Sequence, residues 1–236
     1  MAGQILVNEQ KVEKPGQQVE ADARIRVLRQ AQFASRAGGK LQGALDHFHI
    51  SVEGRTCADL GASTGGFTDC VLQNGARRVY AFDVGKGQLD WKLQSDPRVV
   101  VRDAFNVRNL KPQDLPEDVS FVSVDLSFIS VTKILLPLKH SLVLPEAPNR
   151  TERAEPVADI VVLVKPQFEV GRGEVGKGGI VRDPEQRARV VEAIEAFARE
   201  NGFLALGDMP SPVVGSGGNL EFLLYLRLTK GLLSVP

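Results

Sequence analysis

DLGASTGGFT, residues 59–68, joins an apolar run, TCADLGA (56–62), to a run with helical spacing, GFTDCVLQNG (66–75). The join is a turn holding Gly61, Gly65 and Gly66. The order reads as strand, tight turn, helix start, with glycine where the backbone bends sharply or lies close to a ligand. The turn's amides and the positive end of the helix are expected to face a bound nucleotide-like molecule. Gly61, Ala62, Ser63, Gly65, Gly66 and Phe67 are the candidates for contact with it. A dinucleotide fold expects G-x-G-x-x-G beside a pyrophosphate. Here Ala62, Ser63 and Thr64 separate Gly61 from the glycine pair, so that fingerprint is absent.

Working outward, RVYAFDVG (78–85) and RVVVRDAF (98–105) are two further strand-like runs, ending at Asp83 and at Asp103 followed by Ala104. An acid in the first place can hydrogen-bond ribose hydroxyls, and one in the second can accept from an exocyclic amine. With Asp59 before the turn, three acids stand at successive strand ends. The series resembles the S-adenosyl-L-methionine pocket of Rossmann-like methyltransferases. The plain structural alternative is a strand-to-helix turn such as any doubly wound protein contains.

A length of 236 residues with 43% hydrophobic and 25% charged residues fits one ordinary domain plus a small appendage. No apolar run approaches a membrane span, and the start lacks a signal peptide's basic-then-apolar layout, so a cytoplasmic protein is expected. Cys57 and Cys70 form no CxxC and have no histidine at ligand spacing. They read as buried thiols, with no metal site. The formal net charge is zero, so any RNA-binding surface must be local.

In the first 30 residues, QILVN (4–8) and ARIRV (23–27) are short alternating runs around a turn-rich segment, which predicts two or three small strands. The stretch resembles the second half of the small RNA-binding module named after a primary-binding protein of the small ribosomal subunit. Two basic helices precede the Leu-Val-Asn turn of that module, and here the chain begins at Met1 without them. A β-arm packed on the main domain is the alternative.

Leu41, Ala44, Leu45 and Phe48 recur at helical spacing and predict a helix from near Gly39 to His49. Lys40 falls in its first turn, where a cation opposes the helix dipole. A solvated lysine is the ordinary reading there. Ser120 to Leu126 form a hydrophobic strand with Asp125 at its C-terminal end, where open α/β sheets place ligands. A carboxylate between Val124 and Leu126 is costly to bury unless paired. A helix with Pro137 as a kink follows, and then a polar, proline-rich connection (143–158). Ile160 to Val164 read as a buried strand with Lys165 directly at its end. The glycine-rich loop beyond carries Arg172, Lys177 and Arg182, and either folds over a phosphate backbone or stays open. Asp183 and Pro184 start the clearest helix, with Val190, Val191, Ile194 and Phe197 on its buried face. FLALGDM (203–209) reads as a strand, and Glu221 opens the last one, where an acid is ordinarily exposed.

These elements predict a seven-stranded, mostly parallel α/β sheet with an antiparallel last strand, in which Asp59, Asp125 and Lys165 share one crevice. SRAGGKL, DLGASTGGFTD, VSVDLSFIS, LVKPQFEVGRGEVGKGGIVRD and GNLEFLL occur in the order and spacing of the hemolysin TlyA family of ribosomal RNA 2′-O-methyltransferases, relatives of the FtsJ-type enzymes. The resemblance covers nearly the whole chain. It implies a Rossmann-like class I methyltransferase domain over residues 31–230 behind a partial RNA-binding module over 1–30, with S-adenosyl-L-methionine as cofactor. Ribosomal RNA or ribosomal subunits are the implied partner, and no membrane is involved. The family's catalytic tetrad falls on Lys40, Asp125, Lys165 and Glu221. A small Gly39 stands before Lys40 where a larger residue is expected, which would shift Lys40 slightly. Lys165 would accept the proton of a ribose 2′-hydroxyl or, kept charged, stabilise the developing alkoxide. A second lysine nearby favours the first role and the neighbouring carboxylates favour the other. Arg36, Arg172, Lys177 and Arg182 would contact RNA phosphates. Two other readings stay open: a non-catalytic RNA-binding protein on the same fold, and a membrane-lytic protein, for which the sequence offers no spanning segment and no strongly basic amphipathic helix.

Overall fold

The computed structural model describes residues 5–12, 16–27, 32–115, 118–142, 156–171, 173–176 and 178–229. The chain divides into two units, Met1–Gln32 and Phe33–Pro236. In the small unit, β1 (Ile5–Val7) pairs antiparallel with both β2 (Gln10–Val12) and β3 (Ile25–Val27). Asn8 and Glu9 both take positive φ in the β1–β2 turn, the conformation a two-residue hairpin requires. Asn8 also accepts the Arg24 amide through its side chain. The three strands match the upper end of the sequence expectation.

The large unit opens with α1 (Ala37–Phe48), then alternates β4 (Thr56–Leu60), α2 (Gly66–Gln73), β5 (Arg78–Phe82), α3 (Trp91–Gln94) and β6 (Val99–Arg102). After two single 3-10 turns come β7 (Val119–Val124), α4 (Thr132–Leu142), β8 (Pro156–Val164), α5 (Pro166–Glu169), α6 (Pro184–Glu200), β9 (Phe203–Pro210) and β10 (Phe222–Thr229). The strands form one seven-stranded sheet in the order β6-β5-β4-β7-β8-β10-β9. β4 to β8 run parallel, and β10 inserts antiparallel between β8 and β9. The order reverses between β4 and β7, which puts the topological switch at the C-terminal ends of these two strands.

Every residue of β4 is buried, as a central parallel strand covered on both faces must be. Alternate side chains feed two cores. Ala58, Leu60, Val122, Val124, Ile160 and Val162 pack with Ile134 and Leu138 of α4 and Ile194 of α6. Cys57, Phe121, Val161 and Leu163 pack with Leu41 of α1 and Phe67 and Val71 of α2. The result is helix, sheet, helix in three layers. At the N-terminal end of the sheet, Asp159 collects Tyr225 Oη (2.6 Å), Arg227 Nε (2.8 Å) and Arg55 (2.9 Å). Burial alone would raise its pKa, but these three donors outweigh burial and hold the carboxyl below its usual range.

Several boundaries differ from the sequence reading. α1 starts at Ala37, ahead of Gly39, and His49 closes it in the left-handed conformation. β8 starts at Pro156, inside the stretch expected to be connection, because a proline is tolerated as the first residue of a strand. Residues 143–155 lie outside the described residues. α4 runs through Pro137 as a single helical segment. Asp183 caps α6 through the Glu185 amide as expected, with Pro184 at the first helical position. Among the described residues no helix is long and apolar enough to cross a membrane.

Candidate active site

The 59–68 turn is a strand-to-helix join, yet most of its amides are spent inside the protein. Gly61 and Ala62 donate to Phe82 O, Gly65 to Ala62 O, and Ser63 to the Asp83 carboxylate at 2.8 Å. Gly61 has φ +94, and a Cβ there would meet the Asp125 carbonyl at 2.2 Å. Its smallness therefore serves the approach of β7's end to β4, which is fixed by Asp125 N donating to Leu60 O at 2.9 Å. Gly65 and Gly66 likewise pack on Leu93 and Ser35, and Ala62 and Phe67 are buried. Beside the turn, the neighbouring loops leave carboxylates accessible.

Two such carboxylates stand at the ends of β5 and β6. Asp83 is half-buried and held by the amides of Ser63 and Gly85, the latter at 2.7 Å. Asp103 is exposed and held by the amide of Gly87 at 2.8 Å. Phe105 N donates to Asp83 O and Ala104 N to Gly85 O, so the two loops are laced together, with Ala104 at φ 53. Both acids are thereby oriented before any ligand arrives.

Asp59 does something else. The sequence reading put it in the crevice with Asp125 and Lys165, but its side chain is 0% exposed and turned inward. Thr68 Oγ1 donates to one oxygen at 2.7 Å and Ser123 Oγ to the other at 3.0 Å, so Asp59 braces α2 against β4 and β7. Burial above all, with Asp125 nearby, raises its pKa to about 7 against those hydrogen bonds. An unfolded aspartate titrates near 3.9. Between about pH 4 and 7 the folded chain keeps a proton that the unfolded chain releases, so this group's contribution to stability falls as pH rises through that window and levels off above it. Asp59→Asn is expected to flatten that decline, read by urea unfolding at pH 5 and pH 8. Equal slopes for wild type and variant would contradict the assignment.

The remaining four candidates form two lysine–carboxylate pairs. Lys40 Nζ on α1 lies 2.5 Å from Glu221 Oε2, with the residues only 8% and 4% exposed. Both ordinary expectations, a solvated lysine and an exposed strand-opening acid, are overturned because each supplies the other's counter-charge. Gly215 makes the space: a Cβ there would meet Glu221 Oε1 at 2.2 Å. Lys165 Nζ lies 2.6 Å from Asp125 Oδ1, both side chains largely buried. That contact is a charge pairing without hydrogen-bond alignment; among the described residues Nζ makes its hydrogen bond to Ser127 Oγ, at 3.0 Å. The sheet joins the pairs. Phe222 is opposite Val164 in the β10–β8 ladder, so Glu221 and Lys165 are the next residues on adjacent strands. Asp125, Lys165, Glu221 and Lys40 thus come from the ends of β7 and β8, the start of β10 and the face of α1.

Three residues around the pairs escaped the sequence reading. Phe128 has φ 64 and is 90% exposed, with its ring 4.8 Å from that of Phe168, which in turn lies 6.0 Å from Lys165 Nζ. Ser127 is the residue that accepts the Lys165 Nζ hydrogen bond. Asn219, two residues before Glu221, accepts Val181 N and donates to Gly179 O, pinning the end of the glycine-rich loop beside the site. The signal for all three was their place inside DLSFIS and GNLEFLL. Arg36 is exposed at the start of α1, and Arg182 is exposed just past Val181, whereas Arg172 and Lys177 lie outside the described residues. Among the described residues no group of His, Cys, Asp or Glu could hold a metal ion. Cys57 and Cys70 are free, buried thiols whose pKa burial raises to about 12.

Residues 33–228 match the FtsJ-like methyltransferase family. The chain is 45% identical over 228 residues to the 16S/23S rRNA (cytidine-2'-O)-methyltransferase TlyA of Mycobacterium tuberculosis, covering 96% of this chain and 81% of that protein. A solved structure from Streptococcus thermophilus, assigned as a hemolysin, is 40% identical and superposes with a TM-score of 0.79 over 97% of this chain and 80% of that one. A S-adenosylmethionine-dependent methyltransferase from Mesorhizobium loti shares the fold at 13% identity and a TM-score of 0.53, over 80% of this chain and 97% of that one.

Proposed function

Because the chain belongs to the FtsJ-like methyltransferase family, which matches it from residue 33 to residue 228, we propose that it transfers methyl from S-adenosyl-L-methionine to a ribose 2′-hydroxyl of ribosomal RNA, at a cytidine. The observation that carries this reading is the convergence of Lys40–Glu221 and Lys165–Asp125 at the C-terminal edge of the sheet. A ribosomal substrate puts the reaction in the cytoplasm.

The acceptor set at the ends of β5 and β6 fits the cofactor. Asp83, fixed by two amides, is placed to accept ribose hydroxyls, and Asp103, fixed by one, to accept from the adenine amine. Bound there, the cofactor supplies a sulfonium-activated methyl group that needs no further activation. The protein's own task is then to align the 2′-hydroxyl and to manage one proton. Lys165 Nζ meets that hydroxyl: as the ribose oxygen gains its methyl group it gives up its proton, to Nζ where the amine is neutral or to solvent where Nζ stays an ammonium and stabilises the developing alkoxide, with Asp125 as counter-charge in both cases. Lys40 and Glu221 form the wall behind Lys165, neutralising each other in a site too buried for a lone charge. The target must be RNA, since DNA lacks the 2′-hydroxyl.

Phe128 is the stacking surface for the target base. A bulky residue held at positive φ with its ring in solvent is a strained arrangement that packing alone does not reward. Phe128→Ala is expected to raise KM for RNA about tenfold, in line with the ~1–3 kcal/mol of a base–aromatic stack, while cofactor affinity stays the same. Steady-state kinetics with each substrate varied in turn separates the two. Arg36, Arg182, Arg172 and Lys177 serve as phosphate contacts, and residues 1–30 as an RNA-binding module ahead of a methyltransferase domain over 31–230.

The deciding experiment is transfer of labelled methyl from S-adenosyl-L-methionine to purified ribosomal subunits, followed by alkaline hydrolysis and nucleoside analysis. Label in an alkali-resistant dinucleotide and in 2′-O-methylcytidine is expected. Label on a base, or none, would overturn the proposal.

A further inference from the structure

We infer that Ser127 is a positioning residue for the transfer step, setting the direction in which Lys165 Nζ faces the ribose; the inference rests on the methyltransferase reading above. Asp125 holds the Lys165 nitrogen near by charge, at 2.6 Å, but without hydrogen-bond alignment. That contact occupies one side of the nitrogen. Orientation is what proton transfer needs, because the N–H bonds and the lone pair of an amine point along tetrahedral directions. The directional contact that Nζ makes among the described residues is to Ser127 Oγ, at 3.0 Å. With Cε on one tetrahedral direction, Ser127 on a second and Asp125 drawing the third, the fourth is the one that meets the 2′-hydroxyl. This holds whether Nζ takes the proton or carries charge throughout.

The loop is built to keep that hydroxyl in place. Asp125 N is tied to Leu60 O, which anchors the start of the 125–131 segment on β4. Its far end is anchored on α5, the turn directly after Lys165, where the Glu169 carboxylate accepts Val131 N at 2.8 Å. Between the two anchors, Phe128 lies on Phe168 with ring centres 4.8 Å apart. Ser127 and Lys165 are thus carried on two short segments clamped together on either side of their contact. The Ser127 side chain is exposed and replaces no core contact, so its removal deletes a hydrogen bond and little else.

The test is single-turnover methyl transfer to ribosomal subunits with wild type, Ser127→Ala and Ser127→Thr in parallel. Ser127→Ala is expected to slow the transfer step about tenfold, the effect of one net hydrogen bond, with KM for RNA and for cofactor unchanged within about twofold. Ser127→Thr, which keeps the hydroxyl, is expected to recover the rate to within about threefold of wild type. A Ser127→Ala rate equal to wild type overturns the inference, as does a loss confined to KM for RNA, which would mean that the hydroxyl touches substrate instead of Lys165. Failure of Ser127→Thr to recover also overturns it. An inactive wild-type protein would remove the methyltransferase reading itself, an outcome distinct from any difference among the three proteins.

Discussion

Lys165→Ala is expected to reduce methyl transfer by about a hundredfold to ten-thousandfold, the range a positioned proton acceptor contributes, and to leave S-adenosyl-L-methionine affinity nearly unchanged. The two halves of the expectation have separate physical origins. Lys165 sits at the end of β8, against Asp125 and Ser127, where the ribose is proposed to arrive. The cofactor's proposed anchors, Asp83 and Asp103, are on loops after β5 and β6, the strands on the other flank of β4 in the sheet. Removing the ammonium leaves those loops and their amide contacts intact. Calorimetric titration of cofactor into the variant, beside labelled-methyl transfer, reads both halves. Loss of cofactor binding together with transfer would show that Lys165 supports the donor side, and the assignment of roles would fail.

How much of this could be read from the sequence depends on how local the cause is. The sheet was legible because each parallel strand carries a short, mainly apolar run, and a run such as Ile160 to Val164 is buried on both faces. The strand-to-helix turn at Gly61 was legible for the same reason, although what fills the space beside Gly61 is the Asp125 carbonyl rather than a ligand. Whether an acid at a strand end points into the crevice or inward was not legible. Asp59 and Asp125 follow similar apolar runs, and the difference is made by Thr68 and Ser123, which reach Asp59 from two other elements. The burial of Glu221 was hidden by distance along the chain: its partner, Lys40, is 181 residues away. From residue types alone, each of the two looks like an ordinary surface charge. Ser127 and Phe128 were quoted within a motif yet given no role, since a non-glycine residue at positive φ leaves no mark in composition or periodicity.

That hidden pair gives the second large effect. Breaking it from either side, by Lys40→Met or Glu221→Gln, leaves one group of a buried ion pair without its partner and is expected to cost about 3–5 kcal/mol of folding stability. For a domain of this size that lowers Tm by on the order of 10 °C. The loss is not the worth of the pair itself, because assembling it also required taking two charges out of water. Replacing both residues together, Lys40→Met with Glu221→Leu, removes the stranded charge and is expected to recover most of the stability, to within ~1 kcal/mol of wild type, as apolar groups of similar volume often do for a buried pair. Methyl transfer should not recover with it. Glu221 stands beside Lys165 across the β10–β8 ladder, and the double variant takes away the polar wall against which Lys165 is held. Urea unfolding of the two single variants and the double variant, with methyl transfer measured on each, separates fold from chemistry. Single variants that lose less than about 1 kcal/mol would mean that water screens the pair. A double variant that is stable and fully active would mean that the pair serves the fold alone, and would remove Lys40 and Glu221 from the reaction.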